Sequence, residues 1–154
     1  AAARGSPPTK QRLTMAKSRV SNPQATEWFL INASGQRLGK IATTAATLLR
    51  GKHRLDFAPH RLPPVHVVVT NTDQLDLPAK RLSKEYIRHS QYLGHLKRTS
   101  LRERMVTDST LVIRDAVQGM LSRNRLRRAF LLRLHPYRSE QHPYADKSFT
   151  QLTS

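Results

Sequence analysis

The sequence predicts an α/β fold, and three stretches carry that prediction. "WFLIN" (28–32) is an apolar run of strand length. "VHVVVTN" (65–71) is rich in β-branched residues, and between the two, apolar residues recur at helical spacing. A strand, a helix and a second strand at this separation form a βαβ unit, in which a covering helix joins two parallel strands.

Residues 1–26 read as a basic extension. They carry Arg4, Lys10, Arg12, Lys17 and Arg19, three prolines and no acid. Such a segment suits a targeting leader, a solvated tail, or an arm that orders on RNA. After the first strand, "ASGQ" (33–36) has turn chemistry. Leu38, Ile41, Ala45, Leu48 and Leu49 then mark one helix face, with Lys40, Thr43, Thr44 and Thr47 on the other. Gly51 stands where a helix-terminating glycine belongs.

Beyond the second strand the pattern weakens. Residues 72–100 contain Pro78 and a polar, basic run, and they read as mostly irregular: a long exposed loop or a short helix. Helical signals return at "SLRERM" (100–105) and "DSTLVIRDAVQGML" (108–121), with Asp108 as an N-cap. "MLSRNRLRRAFLLRL" (120–134) follows as a further helix. It holds five arginines and no acid, yet Leu121, Leu126, Phe130, Leu132 and Leu134 run through it. Residues 139–154 read as a polar tail, and no internal repeat is visible.

Charge narrows the function. The 154 residues suffice for one ordinary domain with a real core. Lys and Arg number 27 against 10 Asp and Glu, a formal charge of +17. That imbalance opposes compaction and calls for a polyanionic partner. Nucleic acid is favoured over an anionic membrane, because the cations are spread along the chain and no apolar run nears the ~18 residues of a spanning helix. The absence of cysteine excludes disulfides, thiolate zinc sites and thiol chemistry, and leaves the redox compartment open.

Several enzymatic motifs are excluded in turn. "GQRLGK" (35–40) is not a phosphate-binding loop of the Walker type. Only three residues separate its glycines, and Ile41, not Ser or Thr, follows Lys40. His53, His60 and His66 lack metal-ligand spacing, while His89 and His95 lie among cations that repel a metal. No carboxylate pair or nucleophile–base arrangement stands out.

Three acid-poor basic clusters remain as candidate RNA contacts. The first is Arg50, Lys52, His53 and Arg54. The second is Lys80, Arg81, Lys84, Arg88, His89, Lys97 and Arg98. The third is Arg123, Arg125, Arg127, Arg128 and Arg133; from Ala116 to Ser139 there are six arginines and no acid. Arg37 and Lys40 join them from the strand-to-helix turn. The guanidinium fork binds phosphate bidentately and stacks on bases. Tyr86, Tyr92 and Tyr137 lie near these clusters, as base-stacking residues or as half-buried core. No groove-reading motif for DNA is present, and charge spread over several loops suits a protein embedded in folded RNA.

The pattern resembles the large-subunit ribosomal protein thirteen family. Trp28, Asn32, Ala33, Gly35, Leu38, Gly39, Lys40, Ile41 and Ala42 match its first signature, and Leu49 through His53 its "LRGKH". "VVVTN" (67–71) looks like its central strand. Lys80, Lys84, Tyr86, His89, Gly94 and Lys97 fall at the spacing of its middle loop. "AVQGML" (116–121), Leu126, Arg128, "RL" (133–134), Tyr137 and "HP" (142–143) match its C-terminal signature. The resemblance spans residues 27–144. Departures concentrate in loops: Gln91 and His95 replace loop glycines, Ser122 a proline, and Arg127 a glycine.

The resemblance implies an α/β three-layer sandwich with a mainly parallel four-stranded sheet, over residues 27–138, flanked by the extension 1–26 and the tail 139–154. It implies a structural, non-enzymatic constituent of the large ribosomal subunit that binds and clamps large-subunit rRNA and joins early in assembly. Neighbouring large-subunit proteins are implied partners, with no cofactor, metal, membrane or small-molecule substrate. The looser pattern and acid-free extension look more like a mitochondrial member, ribosome-bound in the matrix, than a plastid member or one of the bacterial cytoplasm. A free-standing messenger-RNA regulator and a phosphate-handling enzyme are the rival readings.

Overall fold

Residues 26–151 are described by the structure, a computed structural model; the expected extension lies outside them except for residue 26. Strand β1 (Glu27–Asn32) leads into α1 (Leu38–Leu49) and returns as β2 (Val65–Thr70), in parallel register with Trp28 opposite His66 and Ile31 opposite Val69. The predicted βαβ unit is therefore present. A 3₁₀ turn (Thr72–Gln74) and a one-turn helix α2 (Ala79–Leu82) precede an antiparallel hairpin, β3 (Glu85–His89) and β4 (Leu96–Ser100). Helices α3 (Leu101–Met120) and α4 (Leu126–Leu132) follow, then the short strands β5 (Leu134–Pro136) and β6 (Phe149–Gln151).

The main sheet runs β5-β2-β1-β6, and every ladder in it is parallel. Successive side chains on a strand face opposite sides. Phe29, Ile31, Val65, Val67, Val69 and Leu134 share a core with Ile41, Ala45, Leu48 and Leu49 of α1, Ile113 and Val117 of α3, and Phe130 of α4. All three long helical segments thus cover one face. Alanines at 42, 45 and 46, each buried, let α1 lie close to its neighbours. On the other face Trp28 stacks on His66 at 4.4 Å between ring centres and meets Tyr144 at 4.8 Å. The connection from β5 to β6 crosses there and forms the third layer. Right-handed crossovers require this division, because β6 lies on the opposite side of β1 from β2 and β5.

Segment 139–154, expected as a tail, instead completes the domain as far as Gln151: its last described residues pair with Trp28, Phe29 and Leu30. A three-residue strand shows no periodicity from which to read it. Residues 72–100 are likewise more regular than expected: the strands of the β3–β4 hairpin contain no fully buried residue, so no apolar alternation announces them. Ser100 ends β4 and caps α3: its Oγ accepts from the Glu103 N–H at 3.2 Å while the Glu103 carboxylate accepts from the Ser100 N–H at 3.1 Å. Asp108 breaks the helical path with φ −159° and ψ 97°, and its carboxylate accepts from Thr110 N at 3.1 Å, the expected N-cap placed inside a kinked α3.

Candidate nucleic-acid interface

Cations that lie far apart in sequence meet at the N-terminal end of α1. A cleft of about 570 Å³ opens there between the start of α1, the α2–β3 segment and one face of α3. Arg37, Lys40, Arg81 and Lys84 line it, with Tyr86 and Met120 in the walls. The start of α1 lies beyond the carboxyl end of β1, the side on which open α/β sheets place their ligands. Lys80, exposed on α2, adjoins Arg81.

The local electrostatics favour an anion. Helix α1 has no acid in its first turn and no side-chain cap at Arg37. Its N-terminus carries the positive end of the helix dipole, where a nearby cation costs about 0.3–1 kcal/mol and an anion gains as much. Arg37 and Lys40 therefore sit where phosphate is welcome. Two carboxylates share the cleft against these four cations, and both are already engaged. Asp115 pairs with Arg104 at 2.5 Å, and Asp76 pairs loosely with Arg37 at 4.0 Å. The Arg104 guanidinium also covers the Tyr86 ring, 4.3 Å from its centre. Burial raises the Tyr86 phenol pKa and Arg104 partly offsets the rise. Arg104 was not among the expected site residues; nothing in the sequence separates it from Arg102, which is exposed.

The other clusters divide by depth. Gly51 ends α1 at φ +71°, donating to Leu48 O, while Lys52 N donates to Thr47 O; these paired bonds define a Schellman cap. The cap leaves Lys52 and His53 exposed and turns Arg54 inward. His53 Nε2 lies 2.9 Å from the Glu27 carboxylate, and the Arg54 side chain, 6% exposed, lies 3.4 Å from the same group. Arg50 is half-buried. On the hairpin, Arg88, His89, Lys97 and Arg98 are all exposed. In the α3–α4 region, Arg123, Arg125 and Arg128 are exposed while Leu126 and Phe130 pack into the core and Leu132 does not.

Four of the expected contacts also make bonds within the domain. Arg54 and His53 hold Glu27 at the start of β1. The Arg127 guanidinium donates to Leu121 O at 2.8 Å, and that of Arg133 donates to Pro63 O. Burial lowers the Arg133 pKa. These groups brace the domain, Arg54, Arg127 and Arg133 from partly buried positions and His53 from an exposed one. Of the three tyrosines, Tyr86 and Tyr137 are packed, whereas Tyr92 is 74% exposed. Among the described residues no group of three His, Asp or Glu side chains gathers at metal-binding distances.

Comparison with known proteins bears on the same residues. Residues 26–143 match the family described as ribosomal protein L13. The large ribosomal subunit protein uL13 of Nitratidesulfovibrio vulgaris (Hildenborough) is 42% identical over 127 residues, covering 82% of this chain and 88% of that protein. The uL13 of Bifidobacterium adolescentis is 42% identical over 119 residues, 77% and 80% of the two chains, and that of Geobacillus kaustophilus 40% over 133 residues, 84% and 92%. The chain belongs to the ribosomal protein L13 family. That family is structural and non-enzymatic, and the resemblance read from residues 27–144 is borne out. The L13 match takes in the cleft, the hairpin and the α3–α4 arginines alike. It includes the loop in which Gln91 stands in place of glycine. Gln91 adopts φ +68°, a backbone glycine takes more easily, and its N–H donates to His89 Nδ1 at 3.0 Å.

Proposed function

We propose that this protein is a structural constituent of the large ribosomal subunit that clamps large-subunit rRNA and assists subunit assembly, and that its ribosome is mitochondrial. Membership of the L13 family and the names of its relatives support the first part. The observation that carries RNA clamping is the cleft, where Arg37, Lys40, Arg81 and Lys84 surround a helix N-terminus. Folded RNA brings phosphates together against their repulsion, and guanidinium and ammonium groups on a rigid scaffold relieve it. Lys52, Lys80, Arg88, Lys97, Arg98, Arg123, Arg125 and Arg128 extend the basic surface around the domain. Its neighbours are other large-subunit proteins.

The acid-free run 1–26 and the replaced loop glycines support the mitochondrial placement. A bacterial ribosome is the second reading, favoured by the bacterial relatives. Subcellular fractionation of the tagged protein separates the two.

The test of clamping is salt dependence. Binding of the purified protein to its large-subunit rRNA is measured across ionic strength, for the wild type and for a variant with Arg37, Lys40, Arg81 and Lys84 all changed to alanine. Each phosphate contact contributes about −0.7 to −0.9 to the log–log slope, so the variant loses about three units of slope. An unchanged slope removes the cleft from the interface.

A further inference from the structure

The β3–β4 hairpin leaves the domain with its apolar side chains uncovered. At its tip Leu93 is fully exposed and Tyr92 74% exposed; along the strands Ile87 is 58% and Leu96 47% exposed. Five residues per strand at ~3.4 Å each carry the tip roughly 17 Å from the hairpin base. The base is fixed, because Leu101 N donates to Lys84 O at 2.8 Å and Leu101 is buried. The tip is also preorganised. Gln91 and Gly94 hold left-handed conformations, Gln91 N donates to His89 Nδ1, and His95 meets Tyr92 edge-on at 6.2 Å.

What would cover such a tip is set by its surroundings. From Tyr86 to Arg102 there is no acid, and Arg88, Lys97, Arg98 and Arg102 flank the apolar residues. The nearest carboxylates reach these cations only loosely, Asp115 to Arg88 at 3.8 Å and Glu85 to Arg98 at 4.0 Å. The core of a protein–protein interface is depleted of charge. An unpaired region of RNA instead offers phosphates at its edge and base faces at its centre, the same alternation the hairpin presents.

We propose that Tyr92 and Leu93 form a wedge that enters an unpaired site in RNA. Tyr92 stacks on an exposed base, Leu93 packs against the adjoining one, and Arg88, Lys97 and Arg98 hold flanking phosphates. The proposal rests on RNA being this protein's partner and adds the kind of RNA structure this part of it selects. The rigid turn keeps the ordering cost of insertion small.

The probe is a short RNA stem interrupted by a bulge containing 2-aminopurine, compared with the fully paired stem at equal salt. The full chain is expected to bind the bulged stem about tenfold more tightly and to quench the 2-aminopurine, as aromatic stacking on a base allows. Tyr92→Ala combined with Leu93→Ala abolishes that preference and the quenching; Tyr92→Trp keeps both. The salt slope stays the same in all three, since no charge is removed. Equal preference in the double alanine variant, or an equal loss on both stems, overturns the wedge. So does a double variant with unaltered RNA preference that fails to join the other large-subunit proteins, because the tip then faces protein. Absence of any salt-dependent binding by the wild type refutes the RNA reading as a whole.

Discussion

Replacing Gly51 by alanine tests how the first basic cluster is aimed. At φ +71° an L side chain pays for a left-handed backbone, about 1–2 kcal/mol. A Cβ there would also meet Cβ and Cγ of Pro63, each at 3.0 Å. Pro63 has little room to retreat. It is buried, and its carbonyl accepts from both Val65 N and the Arg133 guanidinium. Overpacking of this kind adds roughly 1–3 kcal/mol, and the stiffer unfolded chain returns about 0.4–1. The net loss is about 1–4.6 kcal/mol, centred near 3. Urea unfolding followed by the single tryptophan, Trp28, reads it directly. With a slope near 2 kcal/mol/M the midpoint falls by about 0.5–2.3 M. Gly35→Ala is the control. Gly35 also has a positive φ, +66°, but nothing lies within 4 Å of its added Cβ, so only the backbone cost of about 1 kcal/mol remains. Equal midpoints for the two variants would refute the steric role of Pro63. A Gly51→Ala midpoint equal to the wild type would refute the Schellman cap itself.

Three further outcomes follow from the packing. Arg54→Ala is expected to lower stability by about 1–3 kcal/mol in the same assay, since it leaves the half-buried Glu27 carboxylate to His53 alone, whereas exposed Lys52→Ala stays within about 0.5 kcal/mol of wild type. Removing the capping hydroxyl with Ser100→Ala costs about 1 kcal/mol, read as a lower thermal midpoint. The third concerns pH. His66 and His135 lie 3.2 Å apart beneath Trp28, with Tyr144 and Arg133 nearby, and both pKa values are lowered from 6.5, first by burial, then by Arg133 at His66 and by the charge of His66 at His135. The unfolded chain therefore takes up protons before the folded one. The stability these rings contribute is intact above pH 6.5 and declines as pH falls below it. The limiting slope is about 1.4 kcal/mol per pH unit for each extra proton, and part exposure of both rings keeps the observed value lower. His135→Phe should flatten the decline between pH 7.5 and pH 5.5, and an unaltered decline would exclude the pair as its source.

The helix face of α1 and the valines of β2 were readable in the sequence because apolar spacing there reports a single buried side. Asp108 was readable as a cap because its chemistry is local. The hairpin was not: "EYIRH" and "LKRTS" bury little, so no alternation marks them as strands, and β5 and β6 are too short to show any. The candidate site was half readable. Side-chain type gave the sign of the charge but not its depth. Arg128 and Arg127 are neighbours in sequence, yet one is exposed and the other is spent on the Leu121 carbonyl. Nor does spacing reveal that Arg37 and Lys84, nearly fifty residues apart, line one cleft. Tertiary packing decides that.

Ultraviolet crosslinking of the tagged protein in its own cells, with sequencing of the attached RNA, shows which RNA the domain holds. If the domain clamps rRNA, reads concentrate at one locus of large-subunit rRNA, and the fourfold cleft variant depletes the crosslinks. Reads scattered over messengers, or no RNA attached at all, would contradict rRNA clamping.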